Sequence, residues 1–445
     1  MKILFISLGC DKNLVDSEEM IGLLSDGGHI LTDNEEEADA IIVNTCCFIG
    51  DAKEESVNTI LEMAEYKKTG KLKALIVTGC LAQRYRQEIL DEIPEVDAVV
   101  GTAAYPQILQ ALEKAIGREK YQNYSESAPV PLISGKRILT TGGHYAYLKI
   151  AEGCNKHCAY CIIPKLRGEY RSVPLEDLVS QAQRLAADGV KELVLVAQET
   201  TLYGLDLYQK KSLHVLLESL ARIEGLRWIR ILYCYPEELY PELVAVMKRE
   251  EKICHYLDIP IQHASDAVLK RMGRRTTKEN LVKTIDWLRE EIPDIVLRTT
   301  LITGFPGESQ EDFVELYNFM DEMEFDRVGV FPYSAEEDTP AAVMPDQIPQ
   351  EVKEQRRDEL MELAQEISLE KGKEKLGQSL MVLIEGKVSG EAAYVGRSYA
   401  DAPKVDGYIF IQTTQELTTG DFVRVRITGS LEYDLIGELE NESAE

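Results

Sequence analysis

Three cysteines crowd into eight residues of the segment AEGCNKHCAYCIIP: Cys154, Cys158 and Cys161, spaced C-x3-C-x2-C. An extended residue spans at most about 3.5 Å, so one looping segment of this length can turn all three thiols toward one point. The segment follows an apolar run ending at Ile150, read as a strand, which puts the thiols on a loop at a strand's carboxyl end. Thiolates are the usual ligands of iron–sulfur clusters. A fully liganded [4Fe–4S] cube takes four cysteines and this run offers three, which leaves one iron open for catalysis. Two other arrangements use the same residues. One is zinc with His157 as fourth ligand, although His157 directly adjoins Cys158, a poor geometry for closing a tetrahedron. The other is a structural cluster closed by the distant Cys234 or Cys254.

The rest of the chain is organised to suit such a loop. Its 445 residues are enough for two to four domains. From residue 143 to about 345, apolar strand-like runs alternate with amphipathic stretches. The strands are expected at Tyr147–Ile150, Leu193–Ala197, Trp228–Tyr233, Tyr256–Ile259, Val296–Ile302 and Arg327–Phe331. Six strand–helix repeats predict a parallel sheet with right-handed crossovers, a partial barrel short of the eight strands that close one. Residues 1–118 read as a second α/β unit, with KILFIS, AIIVNT and ALIVTG as buried parallel strands. Each of these runs ends at a cysteine: Cys10, Cys46 and Cys80. Ligands in open parallel sheets bind beyond the carboxyl ends of strands, so these three thiols are expected to converge. A Pro- and Ser-bearing linker is expected over 119–142 and a long charged helix over 350–375. From 376 to 445 the pattern turns β-rich, predicting a small antiparallel barrel. The expected class is thus α/β, with units at 1–118, 143–375 and 376–445.

Charge and context narrow the function. There are 49 Lys+Arg against 77 Asp+Glu, a net charge of −28. A field of that sign repels phosphate backbones and suits a cationic partner. No window offers the roughly 20 apolar residues of a membrane span, and the start lacks a signal peptide's apolar core. A cytoplasmic chain with no membrane partner is expected, and nine cysteines in such a chain point to metal before disulfides.

With these motifs on the page, the C-x3-C-x2-C loop after the first strand of a partial barrel resembles the radical S-adenosylmethionine (AdoMet) enzymes. Their open iron chelates AdoMet, and an electron from the cluster splits the sulfonium to a deoxyadenosyl radical. The resemblance places Tyr160, the aromatic before the third cysteine, against the adenine. It makes TTLITGFPGE, with Gly304 and Glu308, the motif bordering the cofactor. SLGCDKNLVDSE, VNTCCFIGDAKEES and VTGCLAQRY further resemble the N-terminal domain of the methylthiotransferases, and the tail resembles their TRAM domain. That family implies a second [4Fe–4S] cluster held by Cys10, Cys46 and Cys80. Cys47 stands where the family usually has a small residue; the match of VNTC gives the ligand role to Cys46. Cys234 and Cys254 match no cluster motif and read as core residues.

The family has a branch that modifies a tRNA adenosine and one that modifies an aspartate of the twelfth protein of the small ribosomal subunit (S12). GCDKNLVDSE is nearer to the GCPKN-like start of the second branch than to the GCQMN-like start of the first, with Asp11 replacing the usual proline. VLVAQETTLYG and YLDIPIQHASDAVLKRMGR resemble the second branch as well. The charge agrees: 21 acidic and 11 basic residues in the first 118, and 12 acidic and 5 basic from Gly377 onward. Methylthiolation of the aspartate β-carbon is the implied reaction, with an electron donor as a further partner and tRNA disfavoured. The tRNA enzyme and a non-catalytic iron–sulfur electron carrier are the alternatives. Gln198, Gln262 and Arg298, at or beyond strand ends, are expected to orient AdoMet or the substrate carboxylate, or else to pack the barrel rim. Hydrogen abstraction needs no general base, so His157 and His263 are read as hydrogen-bonding neighbours.

Overall fold

The computed structural model describes residues 1–124 and 137–440. The N-terminal sheet has six parallel strands: β1 (Lys2–Ser7), β2 (Ile30–Leu31), β3 (Ala40–Thr45), β4 (Ala74–Gly79), β5 (Ala98–Val100) and β6 (Tyr121–Asn123), ordered β2-β1-β3-β4-β5-β6. The continuous apolar runs AIIVNT and ALIVTG are buried along their whole length because helices cover both faces. The two-residue period divides them between two cores: Ile41, Val43, Leu75 and Val77 face one side, Ala40, Ile42, Ala74 and Ile76 the other. Strands β2, β5 and β6 were not expected; each has only two or three residues, too few for a periodic signal. Strand β6 also lies inside the stretch read as linker, of which residues 125–136 fall outside the described residues.

The central sheet is the expected six-stranded parallel array. Its strands are β7 (Tyr145–Lys149), β10 (Glu192–Val196), β11 (Trp228–Ile231), β12 (Ile253–Asp258), β13 (Val296–Thr303) and β14 (Arg327–Pro332), in the order β14-β13-β12-β11-β10-β7. A two-stranded ribbon, β8 (Ala151–Glu152) with β9 (Arg171–Ser172), follows β7 and frames the cysteine loop. Leu193, Leu195, Ile229, Ile231 and Leu297 pack outward under the helices, among them the long helix Gln350–Glu374. The inner face carries Tyr145, Tyr147, Val194, Val196, Trp228 and Tyr256.

The C-terminal barrel closes with the order β15-β16-β17-β19-β18, from β15 (Ser379–Lys387), β16 (Ala393–Arg397), β17 (Ile409–Gln412), β18 (Phe422–Ser430) and β19 (Leu435–Leu439). One correction applies: β17 and β19 pair in parallel. A closed ring with an odd number of strands cannot alternate direction all the way round, so one parallel pair is required. Leu383, Ala400 and Ala402 of this barrel cap the inner face of the central sheet, and Phe422 meets Trp228 edge-on. Under that cap Glu192 pairs with both Arg230 and Arg397, all with fully buried side chains. Removing one partner of such a buried set costs about 3–5 kcal/mol, because it strands a charge. Among the described residues no helix is long and apolar enough to cross a membrane.

Candidate metal centres

The first thiol trio is assembled by the register of β1, β3 and β4. These strands are neighbours, and Ser7 lies opposite Asn44 and Thr45 opposite Gly79, so their carboxyl ends are level. Cys10 is the N-cap of α1 (Asp11–Asp26), Cys46 follows β3, and Cys80 opens α3 (Cys80–Tyr85), while α2 (Gly50–Thr69) lies between the last two. Two glycines permit the approach. A Cβ on Gly9 would stand 2.6 Å from Cys46 Cβ and 3.0 Å from its Sγ; one on Gly79, at φ +91, would stand 2.3 Å from Asn44 Oδ1. The side-chain amide of Asn13 donates to the carbonyls of Leu8 (2.8 Å) and Thr45 (3.0 Å), strapping two of the strand ends together. Burial raises the Cys46 and Cys80 thiols above their ordinary value; the Cys10 thiol adds to both shifts and Arg167 opposes both. Cys47 turns away from the trio into the hydrophobic core beside Arg84, its thiol pushed up to about 12 by burial.

The second trio is local. Cys154 follows β8, and the loop runs through Cys158 and Cys161 into the short helix Ile163–Arg167. Cys154 N donates to Gly168 O at 3.1 Å, and Cys161 N donates to Cys158 O at 3.0 Å, closing the loop on itself. Burial pushes the Cys154 thiol up to about 11 and Cys161 up to about 12, with Cys158 adding to both. Among the described residues no three Cys, His, Asp or Glu side chains stand at single-ion spacing. All nine cysteines are free, and three thiols on one loop or at neighbouring strand ends are the donor set of an iron–sulfur cluster with one iron left open. His157 is exposed, and Cys234 and Cys254 are buried in core positions.

Buried polar atoms gather beside the second trio. Glu199, just past β10, has no exposed surface; one carboxylate oxygen takes the Thr201 hydroxyl and amide and the other has no partner. Burial pushes its carboxyl up to about 7. Gln198 donates to Glu152 at 2.8 Å and leaves its own amide oxygen unmatched. Tyr235 places its hydroxyl 3.3 Å from Cys158 Sγ, and Arg274 lies over that ring at 4.1 Å with Nε and Nη1 unmatched. Buried polar groups are rarely left unpaired, so these donors and acceptors fit a ligand bearing both charges. Tyr160 stands edge-on to Phe305. Gly304 N donates to Glu308 at 2.8 Å, and Gln262 joins the sheet through Thr300 and Ile302. His263 accepts from Ser265 N at 2.9 Å. Arg298, expected to orient AdoMet or the substrate carboxylate or else to pack the barrel rim, is engaged within the chain by Asp258 and by Asp406 of the C-terminal barrel. Glu199, Tyr235 and Arg274 were missed; the first adjoins Gln198 in QETT, but nothing local marks the other two.

The trios meet across a charged seam. Arg167 reaches Asp16 (2.7 Å), Glu152 (3.1 Å), Asn13 (2.7 Å) and Cys80 Sγ (3.6 Å), and Lys149 bonds Asp16 and Glu152. Beside Cys10, Lys12 pairs with Asp11 at 3.1 Å and lies 3.2 Å from the centre of the Tyr233 ring, which follows β11.

Comparison with known proteins agrees with this layout. Residues 2–101 match the uncharacterized protein family UPF0004, 148–320 the radical SAM superfamily and 376–439 the TRAM domain. The chain is 61% identical to the ribosomal protein uS12 methylthiotransferase RimO of Lachnoclostridium phytofermentans, over 99% of this chain and all of the relative. It is 50% identical to that of Clostridioides difficile over the full length of both. The radical SAM methyltransferase TsrM of Kitasatospora setae shares the fold, with a TM-score of 0.54 at 13% identity over 77% of each chain. The chain belongs to the RimO family of radical SAM methylthiotransferases.

Proposed function

We propose that this enzyme replaces a hydrogen on the β-carbon of an aspartate of ribosomal protein uS12 with a methylthio group. When bound, its two [4Fe–4S] clusters and AdoMet supply the electron, the hydrogen-abstracting carbon radical, the sulfur and the methyl group. Cys154, Cys158 and Cys161 are the ligands assigned to the cluster that meets AdoMet; Cys10, Cys46 and Cys80 are those assigned to the sulfur-donating one. The meeting of the second three at adjacent strand ends, one charged seam from the first three, carries this reading.

The chain's own residues bind, orient and exclude water. Glu199 is the acceptor for the AdoMet ammonium and Arg274 the donor for its carboxylate, since each has unmatched buried atoms beside the Cys158 loop. Tyr160, Gln198, Gln262 and Gly304 complete that pocket. Arg298 holds the central sheet to the C-terminal barrel. Lys12 is the cation for the substrate carboxylate, and Asp11 occupies it in the free chain. The overall charge of −28 draws a basic ribosomal protein, free or in the small subunit, and disfavours tRNA. An external electron donor and a cytoplasmic setting complete the proposal.

Anaerobic reconstitution, then incubation with AdoMet, reductant and either uS12 or tRNA, tests it. One methylthio group on uS12, seen by mass analysis, is the expected outcome. Methylthio groups confined to tRNA nucleosides overturn it.

A further inference from the structure

We propose that Arg167 is a positioning residue by which the AdoMet-side loop holds the three strand ends of the other trio and sets the reduction potential of the cluster there. This rests on Cys80, Cys10 and Cys46 being that cluster's ligands. Arg167 ends the helix that begins two residues after Cys161, yet its side chain points into the N-terminal sheet and is only 2% exposed. One nitrogen, Nη2, donates both to Cys80 Sγ and to Asn13 Oδ1. Asn13 in turn donates to Leu8 O and Thr45 O, two residues before Cys10 and one before Cys46. A single guanidinium thereby reaches the segments that carry all three thiols, directly at one and through one amide at the other two.

The charges around it leave that contact meaningful. Arg167 and Lys149 are balanced by Asp16 and Glu152, so the ion-paired groups of the seam sum to zero before the sulfur and the nearby Glu19 are counted. An N–H donated to a ligating thiolate stabilises the reduced, more negative form of a cluster, and hydrogen bonds to the sulfurs are among the main determinants of its potential. Losing this donor therefore moves the midpoint to a more negative value. Glu152 also takes the amide of Gln198 at the end of β10, so the same seam ends beside the AdoMet pocket.

The test uses full-length protein in which Cys154, Cys158 and Cys161 are changed to Ala, reconstituted anaerobically so that only the other cluster is present. Its midpoint is read by a redox titration followed by electron paramagnetic resonance. Arg167→Met alone strands Asp16 and Glu152, so it is paired with Asp16→Asn to keep the seam neutral; Arg167→Lys keeps the charge without the fork. The expected result is a negative midpoint shift in the double variant and a smaller one in Arg167→Lys, at equal iron content. An unmoved midpoint in both variants overturns the proposal. So does an equal shift of the AdoMet-side cluster when that cluster is measured alone, because general loosening of the fold would do the same. The ligand assignment is tested separately: if Cys10→Ala/Cys46→Ala/Cys80→Ala still holds two clusters, it fails and Arg167 falls with it. If that protein holds one cluster, an unmoved midpoint counts against Arg167 alone.

Discussion

Cys154, Cys158 and Cys161 share one loop that bonds to itself, whereas Cys10, Cys46 and Cys80 come from three strand ends spread over 71 residues. The loop trio depends on a few local bonds, such as Cys161 N to Cys158 O. The strand-end trio depends on sheet register, on two glycines without room for a side chain, and on Asn13 as a strap. A local site survives small shifts of the surrounding fold, while a distributed one is only as accurate as the sheet that carries it. Division of labour between the trios should then be separable by mutation. Changing the loop trio to Ala is expected to abolish reductive cleavage of AdoMet. Changing the strand-end trio is expected to leave deoxyadenosine formation in place and abolish the methylthio product. Chromatography of both products checks this, and deoxyadenosine lost in both variants would break the contrast.

A smaller blow to the sheet should also fall on one trio only. Gly79→Ala forces a side chain into backbone at φ +91, with its Cβ 2.5 Å from Thr45 O. Left-handed strain and the clash together cost about 3 kcal/mol. Iron content is expected to fall from about eight per chain toward about four, with AdoMet cleavage retained. Iron analysis reads this directly; loss of both clusters in parallel would deny that the strand ends act separately.

Spacing explains how much of this was legible beforehand. The loop trio is visible because its thiols lie within eight residues, and the strand-end trio because each apolar run stops at a cysteine. What was invisible depends on contacts between elements distant in sequence. Arg298 reads from the sequence as orienting AdoMet or the substrate carboxylate or packing the rim, and its acidic partner Asp406 is 108 residues away. Tyr235 reaches Cys158 from 77 residues away and Arg274 lies over the Tyr235 ring, and Arg167 resembles any helix-end arginine until Asn13 and Cys80 are set beside it. The strands of two or three residues carry no period to detect.

The charged groups beside Cys10 offer the next test. Lys12 lies on the first turn of α1 beside Cys10, held by Asp11 and the Tyr233 ring. Its counterpart in the tRNA branch motif is an uncharged Met. A charge-assisted hydrogen bond to the substrate aspartate is worth about 2 kcal/mol, so Lys12→Met should raise KM for uS12 by roughly thirtyfold. Deoxyadenosine formation without uS12 should be unchanged. An unaltered KM would remove Lys12 from substrate recognition.

Two buried carboxylates separate the trios by pH. Burial pushes Glu152 up, but Arg167 and Lys149 outweigh it and hold the carboxyl down to about 2. Glu199 has no such cation in contact, and burial raises it from the usual 4.5 to about 7. Between those two values the folded chain holds a proton at Glu199 that the unfolded chain has released. Folding stability from this group is therefore full below about 4.5, falls as pH rises by up to about 1.4 kcal/mol per pH unit, and is constant above about 7. Denaturant unfolding of AdoMet-free enzyme across this range should show that slope, and Glu199→Gln should remove it while leaving the Glu152 contribution, which changes only at lower pH. Bound AdoMet, whose ammonium faces Glu199 in the proposed pocket, should likewise flatten the slope by holding the carboxylate ionised. If AdoMet leaves the slope intact, Glu199 is not its ammonium acceptor, and the chemical contrast between the trios loses one of its sides.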